Sequence, residues 1–109
     1  MIKLTVLVKR KVGLEPEEFH AIWRAHGKMI SEEPAFRKYI RRYEQHHAPL
    51  GAKGPYDGLV FQWFDSVDDF YALLADAAYT EKMQPDEDRM LDMDGIVVLF
   101  TEEAETFIP

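Results

Sequence analysis

The chain opens on a strict alternation. In "IKLTVLVK" (residues 2–9), Ile2, Leu4, Val6 and Val8 fall on one side and Lys3, Thr5, Leu7 and Lys9 on the other. That two-residue period predicts a strand with one strongly apolar face. The period then lengthens. Phe19, Ile22, Trp23, His26, Met29 and Ile30 follow the i, i+3, i+4, i+7 spacing of an amphipathic helix. Pro16 suits its first turn, and Glu15, Glu17 and Glu18 suit the positive end of its dipole. The helix is expected to reach about Ile30 and to stop before Pro34, with Gly27 weakening its last turns by up to ~1 kcal/mol relative to alanine. His26 stands in the middle of the apolar stripe, whereas His20 is expected to project sideways into water.

Residues 36–44, "FRKYIRRYE", read as a second strand, with Tyr39, Arg41 and Tyr43 on one face and Lys38, Ile40 and Arg42 on the other. "HHAPLGAKGPYDG" holds two prolines and three glycines and reads as a loop. "LVFQWF" (59–64) predicts a third strand that is apolar on both sides: Leu59, Phe61 and Trp63 against Val60, Gln62 and Phe64. "DSVDDFYALLADAAY" predicts a second helix with Ser66 as its N-cap and Asp69 at the capping-box position. A short helical piece around "DEDRMLD" precedes a last strand at 95–100.

The predicted order is β-α-β-β-α-β, an α+β ferredoxin-like chain with a four-stranded antiparallel sheet. Right-handed crossovers place both helices on one face. Too few helices remain to cover the other, although Thr5, Leu7, Leu59, Phe61 and Trp63 all lie on inner strands. A face carrying Phe61 and Trp63 is a large apolar patch, which points to a homodimer formed sheet against sheet.

A length of 109 residues predicts a single domain over 1–109. No apolar run approaches the roughly 18–20 residues of a membrane span, so no membrane association is expected. The N-terminal charges follow the apolar run instead of preceding it, unlike a signal peptide. The chain has no cysteine, which excludes disulfides, thiolate nucleophiles and Cys-based zinc sites and suits a reducing cytoplasm, the expected location. A net charge of −7 argues against a nucleic-acid partner.

Four histidines are the groups that titrate near neutrality. His46 and His47 are adjacent on a strand, so at most one of them faces a given pocket. His20 and His26 are six apart, not the three or four that would put two ligands on one helix face, and no metal is expected. "QPDEDRMLDMDG" lacks the ordered spacing of a calcium loop and reads as a solvated helix and turn. No phosphate-cradling glycine motif and no serine-nucleophile elbow occurs. Gln62 is the unusual residue, polar between Phe61 and Trp63. If it faces the helices its amide needs a partner, His26 or a bound ligand, because an unpaired polar group costs about 1–3 kcal/mol. Tyr39, Tyr43 and Asp57 complete the polar candidates around a mostly apolar pocket.

These residues also carry a likeness. "VLVKRKVGLEPEEFHAIWRAHG" resembles the opening of the EthD-like family of dimeric α/β-barrel proteins, with Phe19, Trp23 and His26 at the places of its helix motif. "FRKYIRRYEQHH" is similar to its second strand through Tyr39, Tyr43, Gln45 and His47. "YDGLVFQWFDS" looks like its third through Tyr56, Asp57, Gly58, Trp63 and Phe64. The resemblance implies two ferredoxin-like chains joined through their sheets, each with a pocket between sheet and helices. It also implies acid–base chemistry without a cofactor, of isomerase, cyclase, dehydratase or lyase type. The implied substrate is a small hydrophobic or aromatic carbonyl compound such as a lactone or polyketide-like ring. His26 or His47 would be the base and Tyr39 or Tyr43 would hold the substrate oxygen. Val6, Val8, Phe19, Trp23, Gln62 and Phe64 would line the pocket, with Arg10 and Asp57 at its rim. The alternative is a non-catalytic protein that binds a small molecule or serves a degradative or biosynthetic pathway.

Overall fold

The N-terminal alternation forms β1 (Ile2–Val8) in a computed structural model that describes residues 1–109. α1 follows (Pro16–Glu32), with Pro16 in its first turn beside Glu17 and Glu18, and it runs two residues beyond the expected end. The chain does not then enter a strand. Pro34 starts a new helical turn, α2 (Pro34–Arg37), whose Ala35 amide donates to the Glu33 carboxylate at 3.3 Å. Phe36 and Ile40, four residues apart, are thereby buried together. β2 is Arg42–His47, later than the 36–44 expected. Tyr39 is therefore outside the sheet.

β3 (Gly58–Phe64) leads to α3 (Val67–Ala75), where Ser66 Oγ accepts from the Asp69 amide. The helix breaks at Asp76, whose carboxylate accepts from the Ala78 amide and from the Tyr39 hydroxyl, each at 2.9 Å. A wide π turn (Tyr79–Met83) restarts it as α4 (Gln84–Met90), and β4 is Val97–Thr101. The strands order as β2-β3-β1-β4, every pair antiparallel, and the chain has the ferredoxin-like β-α-β-β-α-β fold. No helix is long and apolar enough to cross a membrane.

Strand register sorts the side chains. Leu4 lies opposite Gln62 and Phe100, Val6 opposite Val60 and Val98, and Tyr43 opposite Gln62. These residues share the helix face. There, two buried clusters form: one around Leu4, Ile30, Phe36, Phe64 and Leu73, the other around Val8, Phe19, Trp23, Val60 and Met90. The opposite face carries the pairs Lys3–Trp63, Thr5–Phe61 and Leu7–Leu59, extended by Val97 and Leu99 on β4. No element of this chain covers it, and Val97 and Leu99 remain 45% and 59% exposed.

One expectation on α1 is overturned. His20 does not project into water; it is 5% exposed. The end of β2 rises to meet it, and His47 places its Nδ1 2.6 Å from His20 Nδ1 while lying on the Trp23 ring at 4.1 Å. Gly58 makes this closeness possible. A Cβ there would lie 2.8 Å from the Trp23 ring and would collide with the His46 carbonyl.

Candidate functional site

Between the two core clusters the sheet and helices enclose a cavity of about 230 Å³. Its walls are mostly aliphatic, from Leu4, Val6 and Val8 on β1 to Met83 and Met90 beyond α3, and five polar side chains reach it: His26, Tyr43, Gln62, Tyr79 and Glu87.

His26 comes from the centre of α1 and is 5% exposed. Its Nδ1 lies 2.8 Å from Asp86 Oδ2, and Asp86 Oδ1 accepts from Arg89 at 2.6 Å. A carboxylate only accepts, so Nδ1 carries the proton and Nε2 keeps its lone pair. Burial pushes the His26 pKa below 6.5, and the Asp86 carboxylate works in the opposite direction without overcoming it. The ring is thus a neutral base of fixed tautomer at the cavity wall.

Tyr43 faces it from β2. Gln45 Nε2 donates to the Trp23 carbonyl at 2.7 Å and to Tyr43 Oη at 2.9 Å. Gln45 Oε1 must then accept, so His47 Nε2, 2.8 Å away, is a donor. Burial lowers His47 to about 4, which leaves its Nδ1 an acceptor for His20 Nδ1–H. Every bond in this chain points the same way, from His20 through His47 and Gln45 to Tyr43. Because Tyr43 Oη accepts from Gln45, its own proton is free to be donated. Burial raises that hydroxyl to about 12, with the Gln45 amide and Trp23 indole acting against the shift, so it stays protonated.

The chain needs Gly27. A Cβ at that position would stand 2.6 Å from Gln45 Nε2 and 3.3 Å from the Tyr43 ring. Gly27→Ala, favourable by up to ~1 kcal/mol in an exposed helix, is expected here to destabilise by about 1–2 kcal/mol through overpacking. A lower midpoint in urea, with m unchanged, checks it.

On the far wall Tyr79 donates to Glu87 Oε1 at 2.5 Å, and burial raises the Glu87 pKa. Gln62 is different. It is 9% exposed, faces the helices, and its Oε1 has no hydrogen-bond partner. His26, one of the two partners expected for it, is bonded to Asp86 instead.

Of the candidates from sequence, His26, Tyr43, Val6, Val8, Trp23 and Gln62 line the cavity. The others do not. His47 acts on Tyr43 only through Gln45. The Tyr39 hydroxyl is bonded to Asp76. Phe19 and Phe64 are fully buried in the two clusters on either side. Arg10 pairs with Asp57 at 2.7 Å, and its amide donates to the other carboxylate oxygen at 2.8 Å, clamping the loop after β1 to the one before β3. Asp86, Glu87 and Tyr79 are the additions. Asp86 and Glu87 lie on the acidic segment read as a solvated helix, and Tyr79 ends the stretch read as the second helix. A signal was present: Met83, Glu87 and Met90 share the i, i+4, i+7 spacing of a buried face. No three His, Asp or Glu side chains converge as a metal site.

Fold and site define a ferredoxin-like chain with an apolar cavity served by a histidine–carboxylate pair. Residues 11–94 match the family model of the EthD domain, and the chain belongs to that family. No curated protein matches it. Solved structures of the same fold include a dimeric ferredoxin-like protein of Bacteroides fragilis, 17% identical, covering 94% of this chain and 95% of its own (TM-score 0.72). Another is SnoaB, a cofactor-independent oxygenase of Streptomyces nogalater, 9% identical, with 97% and 95% covered (TM-score 0.66). A third is a dimeric ferredoxin-like protein of Thermobifida fusca, 20% identical, with 92% and 88% covered (TM-score 0.66).

Proposed function

We propose that the protein is a cofactor-independent acid–base enzyme acting on a small hydrophobic or aromatic carbonyl compound. The observation that carries this reading is the His26–Asp86 pair on the wall of an apolar cavity that also holds a free hydroxyl donor, Tyr43. His26 Nε2 takes a proton from the carbon next to the substrate carbonyl. The carbonyl oxygen accepts from Tyr43 as it gains enolate charge. The imidazolium is held by Asp86 and returns its proton to the same or another carbon, which gives exchange or isomerisation. Cyclase, dehydratase and lyase reactions that pass through an enolate share the first step. SnoaB supports the reading as a protein of this fold that works without a cofactor. The bare apolar sheet face and the dimeric relatives support a homodimer.

The direct test is proton exchange in heavy water, followed by NMR, with a panel of neutral aryl ketones and lactones. Exchange next to the carbonyl is expected to require the folded protein. Ligands that bind in the cavity without exchanging would make this a binding protein.

A further inference from the structure

We infer, on the basis of the acid–base reading of this cavity, that its substrate is an uncharged carbonyl compound bearing a separate hydroxyl donor, which Gln62 selects. Gln62 occupies a strand position whose helix-facing neighbours, Val60 and Phe64, are apolar. An aliphatic residue there would complete the wall. Instead the position carries an amide side chain, nine-tenths buried and lining the cavity, whose oxygen is shut from solvent and has no partner. That oxygen demands a donor.

The donor has to come from the ligand, because the other side-chain donors at the cavity are committed and the Gln62 Nε2 group cannot bond its own oxygen. His26 Nδ1–H is held by Asp86 and the Tyr79 hydroxyl by Glu87. Tyr43 O–H is assigned to the substrate carbonyl in the reading above. What remains is a Gln62 amide with an unpaired acceptor and an unpaired donor, which is complementary to a hydroxyl, able to donate and accept, on a molecule that also carries a carbonyl. Gln62 Oε1 accepts from that hydroxyl, while His26 Nε2 faces the carbon acid.

Charge narrows the class further. No lysine or arginine lines the cavity, and Glu87 does. Arg10, the cation expected at the rim, is neutralised by Asp57. A carboxylate substrate would enter an apolar space with no counter-charge and an acidic neighbour, which is strongly unfavourable. Size sets a last bound. About 230 Å³ is below the roughly 300 Å³ at which drug-sized sites begin, which suits one or two rings.

The test compares three aryl ketones by calorimetry: para-hydroxyacetophenone, acetophenone and para-acetylbenzoate. Wild-type protein is expected to bind the hydroxy ketone about tenfold more tightly than acetophenone, the discrimination of one good hydrogen bond. The benzoate is expected to bind at least about a hundredfold more weakly than the hydroxy ketone. Gln62→Leu is expected to erase the hydroxyl preference while unfolding at an equal or higher temperature. Equal affinities in wild type, as when an ordered water satisfies Gln62 with ligand bound, overturn the inference. So does failure of the hydroxy ketone to bind at millimolar concentration, or a preference that survives Gln62→Leu. Methyl-proton exchange in the same samples separates the two readings. Exchange without Gln62-dependent selectivity sinks only the substrate class. Selectivity without exchange sinks only the acid–base chemistry.

Discussion

Replacing His26 with glutamine is expected to lower the rate of substrate proton exchange by roughly 10²- to 10⁴-fold, the usual worth of a positioned general base. Glutamine retains a hydrogen bond to Asp86 but has no basic nitrogen. The wild-type pH profile carries a second signature. His26 must be neutral to act, and burial holds its pKa below 6.5, so kcat/KM is expected to be flat through neutrality and to fall only on the acid side of 6.5. Because Tyr43 ionises only at about 12, no alkaline limb is expected below about pH 10. Asp86→Asn keeps an acceptor for Nδ1–H but removes the negative charge that opposes the burial effect, so its acid limb should move lower still while its plateau drops. Stability follows the same sign. A ring with a depressed folded pKa binds fewer protons folded than unfolded, so its contribution is complete above 6.5 and is lost as pH falls through the folded value. A full-rate His26→Gln enzyme would sink the proposed chemistry.

The sheet was legible because its signal is local. A two-residue period needs no knowledge of the rest of the chain, and Leu4, Val6 and Val8 did turn to the helices while Phe61 and Trp63 turned away. The misplaced second strand shows where the period fails. "FRKYIRRYE" alternates as a strand, but Phe36 and Ile40 also stand four apart after a proline. Burial of both in the core below α1 decided for a helical turn. The site was half legible for a related reason. His26 and Gln62 each announced themselves as polar residues in apolar company. Asp86 and Glu87 were hidden in a run of acids whose charge suggested water, and only the packing of α4 shows that one bonds His26 and the other reaches the cavity. Helix periodicity places His20 in water because the partner that covers it, His47, is 27 residues away and invisible to a local period.

A single charge on the open sheet face should take the proposed homodimer apart without unfolding the chain. Leu99 is the position to change. It lies across from Thr5 in the row that continues to Phe61, on the face no helix covers, and is 59% exposed in the single chain. Aspartate there loses little within one protomer. In a two-fold interface the same residue occurs twice, so Leu99→Asp buries two carboxylates in one apolar patch. Each copy is expected to weaken association by at least about 2 kcal/mol, or roughly thirtyfold, and the pair by close to the product. Lys3 and Arg42 do not offset this. Lys3 lies 4.6 Å over the Phe61 ring and Arg42 lies 4.9 Å over Trp63, where Arg42 also pairs with Glu44. Sedimentation velocity should therefore show a dimer for wild type and a folded monomer for Leu99→Asp, with unchanged circular dichroism. Val12→Asp, at a position 94% exposed and outside the sheet, should remain dimeric. A wild-type monomer at high concentration would leave the apolar face without the partner that the chain's own pattern of residues demands.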